Sequence, residues 1–528
     1  MPVPKKQKNV YADAEQMAEK QRTISVSEFF SKNRHLLGFD NPRRALLTAV
    51  KEAVDNSLDA CEEAGILPDL TVTLKELSED RFSMSVEDNG PGIVKNQIPN
   101  IFAKLLYGSK FHSMKMSRGQ QGIGISAAGM YGQLTTGQPI KITSKIGKGK
   151  PAHHYHLHLN TTQNKPEILR DIEMDWPKDH GTLVEIELEG RYQKGRSSVD
   201  EYVRQTAIAN PHVSITYTLQ LLTGEEKAEY IRSVKQLPLP PKEIKPHPYG
   251  VELGMLMKML KTTNSRALKG ALQSDFSRVS SKVAGEICAA ANLNPNASPK
   301  AIALKEADNL FRAIQKVKIM NPPTDCISPI GEDLIVSGLK QQVEAEIFVA
   351  TTRPPSVYRG NPFQIEAGIA YGGKLPGDEL AQVFRFANRV PLLYQQSACA
   401  IFKTVQGIDW KNYGLDQARG ALPSGPLVIM VHMASVWVPF TSESKEAIAS
   451  YDEVIKEMRL ALQECGRKIS AHISHKRRVA DALQKINYIQ TYIPQIGIAL
   501  KDILGLNEKE VKRAVTTLTE VLEKKRAI

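Results

Sequence analysis

Cysteine is scarce in this chain of 528 residues, and the five present, Cys61, Cys288, Cys326, Cys399 and Cys465, stand far apart with no C-x-x-C pair. That distribution argues against a disulfide framework and reads as small apolar thiols in a reducing cytosol. No uninterrupted apolar run approaches the ~20 residues a membrane span needs, and no secretory leader is recognisable, so a cytoplasmic protein without a membrane anchor is expected. Acidic residues are in deficit: 57 Asp and Glu face 69 Lys and Arg, a formal charge of +12. A basic balance fits a polyanionic partner without requiring one. The length exceeds one ordinary core and predicts about three domains.

Chemistry concentrates in three stretches. Residues 81–87 alternate apolar and polar, with Phe82, Met84 and Val86 on one face, so the strand delivers Asp88 at its end, before Asn89-Gly90-Pro91-Gly92. The glycines permit a sharp turn and close backbone approach. The turn is either a hairpin capped by Asp88 or a ligand site. Upstream, residues 41–64 carry helical periodicity through Leu46, Val50, Ala53 and Leu58, with Pro42 in the first turn. Glu52, Asn56 and Asp59 fall on one stripe, which is a solvated acidic face or an oxygen-rich face turned to a cation such as magnesium. The third stretch, Arg118-Gly119-Gln120-Gln121-Gly122-Ile123-Gly124-Ile125, crowds glycines at the entry to a small-residue helix, where free amides favour phosphate. It lacks the Lys-Ser/Thr ending of a Walker A loop and no strand directly precedes it, so neither that motif nor the dinucleotide fingerprint fits.

In this order and spacing, E-x-x-D-N, D-x-G-x-G and G-x-x-G-x-G resemble the GHKL ATPases: gyrase, heat-shock protein 90, MutL-type repair proteins and histidine kinases. The resemblance implies ATP and Mg²⁺ as cofactors. It gives Glu52 the role of general base, Asn56 that of Mg²⁺ ligand, and Asp88 the adenine contact. Thr182 would support the adenine side, Gly92 would belong to the ATP-binding set, Ser109 and Lys110 would lie in a lid, and Arg118, Gly119, Gln120, Gln121, Gly122, Ile123, Gly124 and Ile125 would wrap the phosphates.

Beyond these motifs, residues 140–146, 152–160 and 183–188 read as strands, the last ending the ATPase sheet, followed by a helix over 199–208. His154, His156 and His158 share one strand face, which is a polar face or, less readily without cysteine or carboxylate, a metal site. Prolines 238, 240, 241, 246 and 248 break the chain before a helical stretch over 251–319, where Met255, Met257 and Met259 read as core. Pro322, Pro323 and Pro329 mark a second break, before strands at 347–352, 363–370 and 427–438 and helices near Leu380 and from Lys445 onward, with a right-handed crossover expected.

A helical insert between ATPase and transducer resembles the B subunits of type IIB topoisomerases, the topoisomerase VI class, over nearly the whole chain. The expected fold is a multidomain α+β protein: an arm at 1–20, a GHKL (Bergerat) α/β sandwich at 21–237, a helix-two-turns-helix domain at 238–325, a transducer resembling ribosomal S5 domain 2 at 326–475, and C-terminal helices at 476–528. The resemblance implies an ATP-driven dimer that passes one DNA duplex through a break made by the topoisomerase VI A subunit, in an A2B2 heterotetramer. It further implies an archaeal, nucleoid-associated enzyme that relaxes and decatenates DNA. The arm is a frayed terminus or a strap on the partner's site with Tyr11 in contact. Lys445 is the expected switch lysine reaching the γ-phosphate, with Lys411 competing. The basic loop of Lys194 and Arg196, with Trp410, Lys411 and Tyr413, would meet double-stranded DNA, although a core tryptophan is the simpler reading of Trp410. The stripe of Val511, Val515, Leu518 and Leu522 would dock the A subunit. A MutL-like clamp and an Hsp90-like chaperone are the alternatives.

Overall fold

A computed structural model describes residues 14–19, 21–111, 113–119 and 122–526. Tyr11, Gln120, Gln121 and the side chain of Leu522 lie outside the described residues.

The N-terminal half is a helix-on-sheet sandwich. Helix α1 (Pro42–Glu63) starts where Asn41 caps it, its side-chain oxygen accepting from the Arg44 amide at 2.9 Å, with Pro42 in the first turn. Strands β1 (Asp69–Ser78) and β2 (Arg81–Glu87) follow, then helix α2 (Gly124–Thr136) and strands β3 (Ile140–Lys145), β4 (Ala152–Asn160), β5 (Lys165–Met174) and β6 (Gly181–Glu189). Helix α3 (Val199–Ala209) leads to β7 (Ser214–Leu221) and β8 (Gly224–Tyr230). One sheet runs β5-β4-β3-β6-β2-β1-β7-β8, antiparallel except for the β1–β7 pair. The sheet therefore continues past β6, contrary to the expectation that it ends there. Alternation along β2 buries Phe82, Met84 and Val86 against Leu46, Val50, Val54 and Leu58 of α1, as the period-2 pattern predicts.

A second core is wholly helical. Helices α4 (Leu253–Thr262), α5 (Leu268–Asp275), α6 (Ser281–Ala290) and α7 (Leu304–Lys316) close around Leu256, Leu260, Leu272, Ile287 and Leu310. The methionines are not its centre: Met255 is exposed, and Met257 and Met259 only flank it, because Leu256 and Leu260 take the inward positions four residues apart.

The third core belongs to helix α8 (Glu332–Gln342) and a sheet of β9 (Ile347–Thr352), β10 (Ser356–Tyr358), β11 (Asn361–Tyr371), β12 (Gln382–Ala387), β13 (Val390–Pro391) and β14 (Leu427–Ser435). Strand β11 pairs β14 antiparallel, while β12 lies parallel to β14 and reaches it through helix α9 (Ala400–Gln406). Leu380 sits in the loop before β12 and is exposed, where a helix was expected. Helix α10 (Asp452–Leu504) begins at residue 452, seven residues after Lys445, and covers this sheet with Val454, Met458, Leu462, Cys465, Ile469 and Ile473. All five cysteines are unpaired and buried, as their distribution predicts. The first and third cores are joined: Ile208 and Ala209 of α3 pack with Ile335, Leu339, Phe384 and Met430. Gly338 is required there, since a Cβ would stand 2.1 Å from the Ile208 carbonyl oxygen.

Helix α11 (Glu508–Arg526) packs against α10. A Cβ at Gly497 would meet Val515 Cγ2 at 2.5 Å and Val511 Cγ1 at 3.4 Å, so half of the C-terminal stripe is already covered by this chain. Leu518 remains 36% exposed.

Candidate nucleotide site

A cavity of about 340 Å³ opens between α1, the ends of β2 and β6, residues 107–111, 119 and 122–125, and a loop at 443–446. Its two ends are built differently.

At the inner end stands Asp88, 5% exposed. Strand β2 aims it, and three donors hold it: Ser57 Oγ at 2.8 Å, the Gly90 amide at 2.9 Å and the Thr182 amide at 3.1 Å. Burial pushes its carboxyl pKa up, while these hydrogen bonds pull against that shift. A ring of hydroxyls extends the site, with Ser144 Oγ 3.0 Å from Thr182 Oγ1 and accepting from the Ile93 amide at 2.8 Å. Gly92 has φ +70°, and a Cβ there would stand 2.1 Å from the Lys145 carbonyl oxygen, so only glycine permits the approach. An anchored carboxylate with neighbouring hydroxyls suits an exocyclic amine. Ser57 and Ser144 escaped sequence reading because nothing in their spacing ties them to Asp88.

At the outer end, Glu52 and Asn56 lie one helical turn apart on α1 and both line the cavity, whereas Asp59, the third member of the stripe, turns away to Lys110 Nζ at 2.7 Å and Arg118 Nη1 at 2.9 Å. The stripe is thus split between the cavity and an ion-pair network. Glu52 lies against the N-terminus of α2: a Cβ on Gly124 would fall 1.7 Å from its Oε2. Asn56 Oδ1 is 3.6 Å from the place a Gly119 Cβ would occupy. Ser109, Lys110, Gly119, Gly122, Ile123, Gly124 and Ile125 all line the cavity.

Arg118 departs from expectation. Its guanidinium is buried among Asp59, Glu62 and Asn210, with Nη2 at 2.7 Å from Glu62 Oε1 and 2.6 Å from Asn210 Oδ1, and it does not line the cavity. It fastens the lid to α1 and α3. Segments of the third core take part in the same fastening, as Asn388 Nδ2 donates to the Ser117 carbonyl at 3.0 Å and the Met116 amide donates to the Cys326 carbonyl at 2.9 Å.

Lys445 comes from the far core, yet lines the same cavity as Glu52. Its Nζ lies 3.3 Å from the Arg118 carbonyl oxygen. It belongs to a loop closed by the Phe440–Ile448 bridge and sits at φ +54°, a region costly for a side-chain-bearing residue. Burial depresses the ammonium pKa, opposed by the charge of Glu52.

The DNA-contact residues split. Trp410 is fully buried and donates its indole N–H to the Val405 carbonyl at 2.8 Å, so it is a core residue and not an exposed contact. Tyr413 is half-buried, with its ring packed on Gly466 of α10. Lys411 and Arg196 are exposed, and Lys194 pairs with Glu226 at 2.8 Å on the surface. His154 and His156 meet edge to face with ring centroids 4.9 Å apart, but no group of three His, Cys, Asp or Glu able to hold a metal exists among the described residues. Among those residues no helix is long and apolar enough to cross a membrane.

A sandwich with this turn, this helix and this lid defines an ATPase of the histidine kinase, gyrase B and Hsp90 kind, and the family model of that description matches residues 41–161. A second model, for the transducer of topoisomerase VI B subunits, matches residues 322–485. The type 2 DNA topoisomerase 6 B subunit of Methanococcoides burtonii is 51% identical over 503 residues, 95% of this chain and 80% of that protein. Its namesake from Methanosarcina barkeri is 50% identical over 96% of this chain and 81% of that protein, and the one from Archaeoglobus fulgidus 45% over 97% and 84%. The chain belongs to the family of type 2 DNA topoisomerase 6 B subunits.

Proposed function

We infer that this chain is the ATP-binding and hydrolysing subunit of a type IIB DNA topoisomerase, in which ATP closes a dimer around a duplex and drives its passage through a break. The observation that carries the reading is Lys445: the cavity receives a cation from a separate core, so it is complete only when ATPase and transducer meet. A site assembled across two bodies converts the presence of a γ-phosphate into a movement.

In this mechanism Asp88 accepts from the adenine amine, with Thr182 and the Gly92 backbone beside it. The amides of residues 118–125 wrap the phosphates at the N-terminus of α2. Glu52 accepts the proton of the attacking water, and Lys445 compensates charge on the γ-phosphate. The donor set fits magnesium: one amide oxygen from Asn56, with phosphate and water oxygens completing the shell, suits an ion that is seldom caged by protein alone. When bound, the ion neutralises phosphate charge.

The same reading extends outward. The arm at 1–20, the sandwich at 21–237, the helical domain at 238–325, the transducer at 326–475 and the helices at 476–528 are the working parts. Lys194, Arg196, Lys411 and Tyr413 face DNA. The A subunit supplies the cleaving tyrosine and its metal carboxylates in an A2B2 assembly at the nucleoid, and the relatives do not favour a repair clamp or a chaperone. Glu52→Ala tests the core of the reading: hydrolysis should fall by ~10²–10⁴ while ATP binding, followed by calorimetry, persists. An unaltered hydrolysis rate removes Glu52 from the role.

A further inference from the structure

The two residues that flank the switch lysine are held by one side chain of the ATPase core. Arg44 lies in the first turn of α1, two turns before Glu52. Its Nε lies 2.7 Å and its Nη2 2.5 Å from Glu446 Oε1, and Nη2 also donates to Ser444 Oγ at 3.2 Å. Its remaining nitrogen, Nη1, reaches Asp40 Oδ1 at 2.5 Å, and its guanidinium sits 5.6 Å from the Tyr394 ring centroid. The pair is sheltered, the side chains of Arg44 and Glu446 being 14% and 9% exposed. Little solvent therefore stands between the opposite charges that join the two cores here.

We propose that Arg44 is a positioning residue for ATP hydrolysis: it latches Glu446 and Ser444 and so holds Lys445 over the phosphate end of the cavity. This rests on the reading of Lys445 as the residue that meets the γ-phosphate. Three observations join. The latch grips both neighbours of Lys445, so the lysine backbone is clamped from either side. Lys445 is at φ +54°, with its amide bonded to the Ser442 carbonyl at 3.1 Å in a tight turn. A left-handed lysine persists only where its surroundings enforce it. Finally, Arg44 and the Glu52–Asn56 pair share one rigid helix, so a loop seated on Arg44 is registered against the hydrolytic residues.

The planar guanidinium is suited to this task. It offers Nε and Nη2 to the carboxylate while a third nitrogen is anchored on Asp40, whereas an ammonium would satisfy one contact at a time. Arg44 approaches neither Asp88 nor the adenine end. Its removal therefore bears on the arrival of Lys445 and not on capture of the nucleotide.

Steady-state ATPase assays and dimer formation with a non-hydrolysable ATP analogue, on the full chain, test the latch. Arg44→Ala and Glu446→Ala should each lower kcat by about tenfold, with KM for ATP and analogue affinity within about twofold. The double variant should fall no further than either single one, as expected for two ends of one contact. Exchange of the charges, Arg44→Glu with Glu446→Arg, should recover part of the lost rate, which a purely structural role of either side chain would not do. Glu446→Gln, which is isosteric and keeps the buried volume, guards against loss of fold, and thermal melting verifies each variant. The proposal is overturned if Glu446→Gln and Glu446→Ala turn over at the parent rate, if the single effects add, or if KM rises in step with the loss of kcat. Lys445→Ala separates the two levels: full activity there would sink the reading on which the latch rests, whereas an inactive Lys445→Ala beside active Glu446 variants would sink the latch alone.

Discussion

The two ends of the nucleotide cavity have opposite constructions. The end proposed for adenine is built within one core, from the end of β2, the start of β6 and the middle of α1, and both carboxylate oxygens of Asp88 are held by donors less than 3.2 Å away. The end proposed for the phosphates is borrowed: Glu52 and Asn56 come from α1, the glycines from residues 119–124, and Lys445 from a loop of the transducer. A prebuilt end binds without rearrangement, because its hydrogen bonds exist before the ligand arrives. A borrowed end can report whether a ligand is there. On the proposed function, base recognition and phosphate sensing are separated along one cavity, and α1 is the rigid element common to both.

The sharpest way to break this comparison is Asp88→Ala. It removes the carboxylate proposed to accept from the adenine amine, and one charge-assisted hydrogen bond contributes roughly 1.5–3 kcal/mol, so ATP affinity should fall by about ten- to a hundredfold. Calorimetric titration with an ATP analogue, alongside a thermal melt, checks it, and parental affinity would mean that the base is read elsewhere.

At the borrowed end the expected loss lies in rate instead of affinity. Lys445→Ala should reduce hydrolysis by about 10², in line with deletion of one charge-stabilising donor, and leave ATP binding within a few-fold. Lys411→Ala should spare hydrolysis without DNA and weaken its stimulation by DNA. The reverse pattern would exchange the two lysines.

The last prediction concerns the shared helix and bears on stability, with the least effect on nucleotide binding or turnover. Asp55, on the buried side of α1, bonds Tyr202 at 3.0 Å, and burial pushes its pKa up to about 7. The folded protein therefore keeps a proton that the unfolded chain has already lost above its ordinary value near 3.8. Stability from this group falls as pH rises from about 4 to 7, by at most about 1.4 kcal/mol per pH unit, and is constant above that window. Asp55→Asn should flatten the pH dependence of the denaturant midpoint across the upper part of that window. An unchanged slope would show that Asp55 titrates normally.

Much of this molecule was decided locally. Period-2 alternation at 81–87, Asn41 and Pro42 opening α1, the helical period at 199–208 and the glycine-rich entry to α2 are short-range signals, and backbone sterics and side-chain spacing act within a turn or a few residues. The order of three motifs carried the class of ATPase for the same reason. Long-range placement was another matter. That Trp410 is core, that Arg118 pairs with Glu62 away from the cavity, that Leu380 lies in a loop and that Val511 and Val515 rest on Gly497 follow from how whole elements pack, and no local pattern encodes such a partner. The sequence by itself determined the carboxylates, amides and glycines that the proposed ATP site draws on. Only the tertiary structure decided which of them meet, because Lys445 and Glu52 lie nearly 400 residues apart along the chain and share a cavity solely through the packing of two cores.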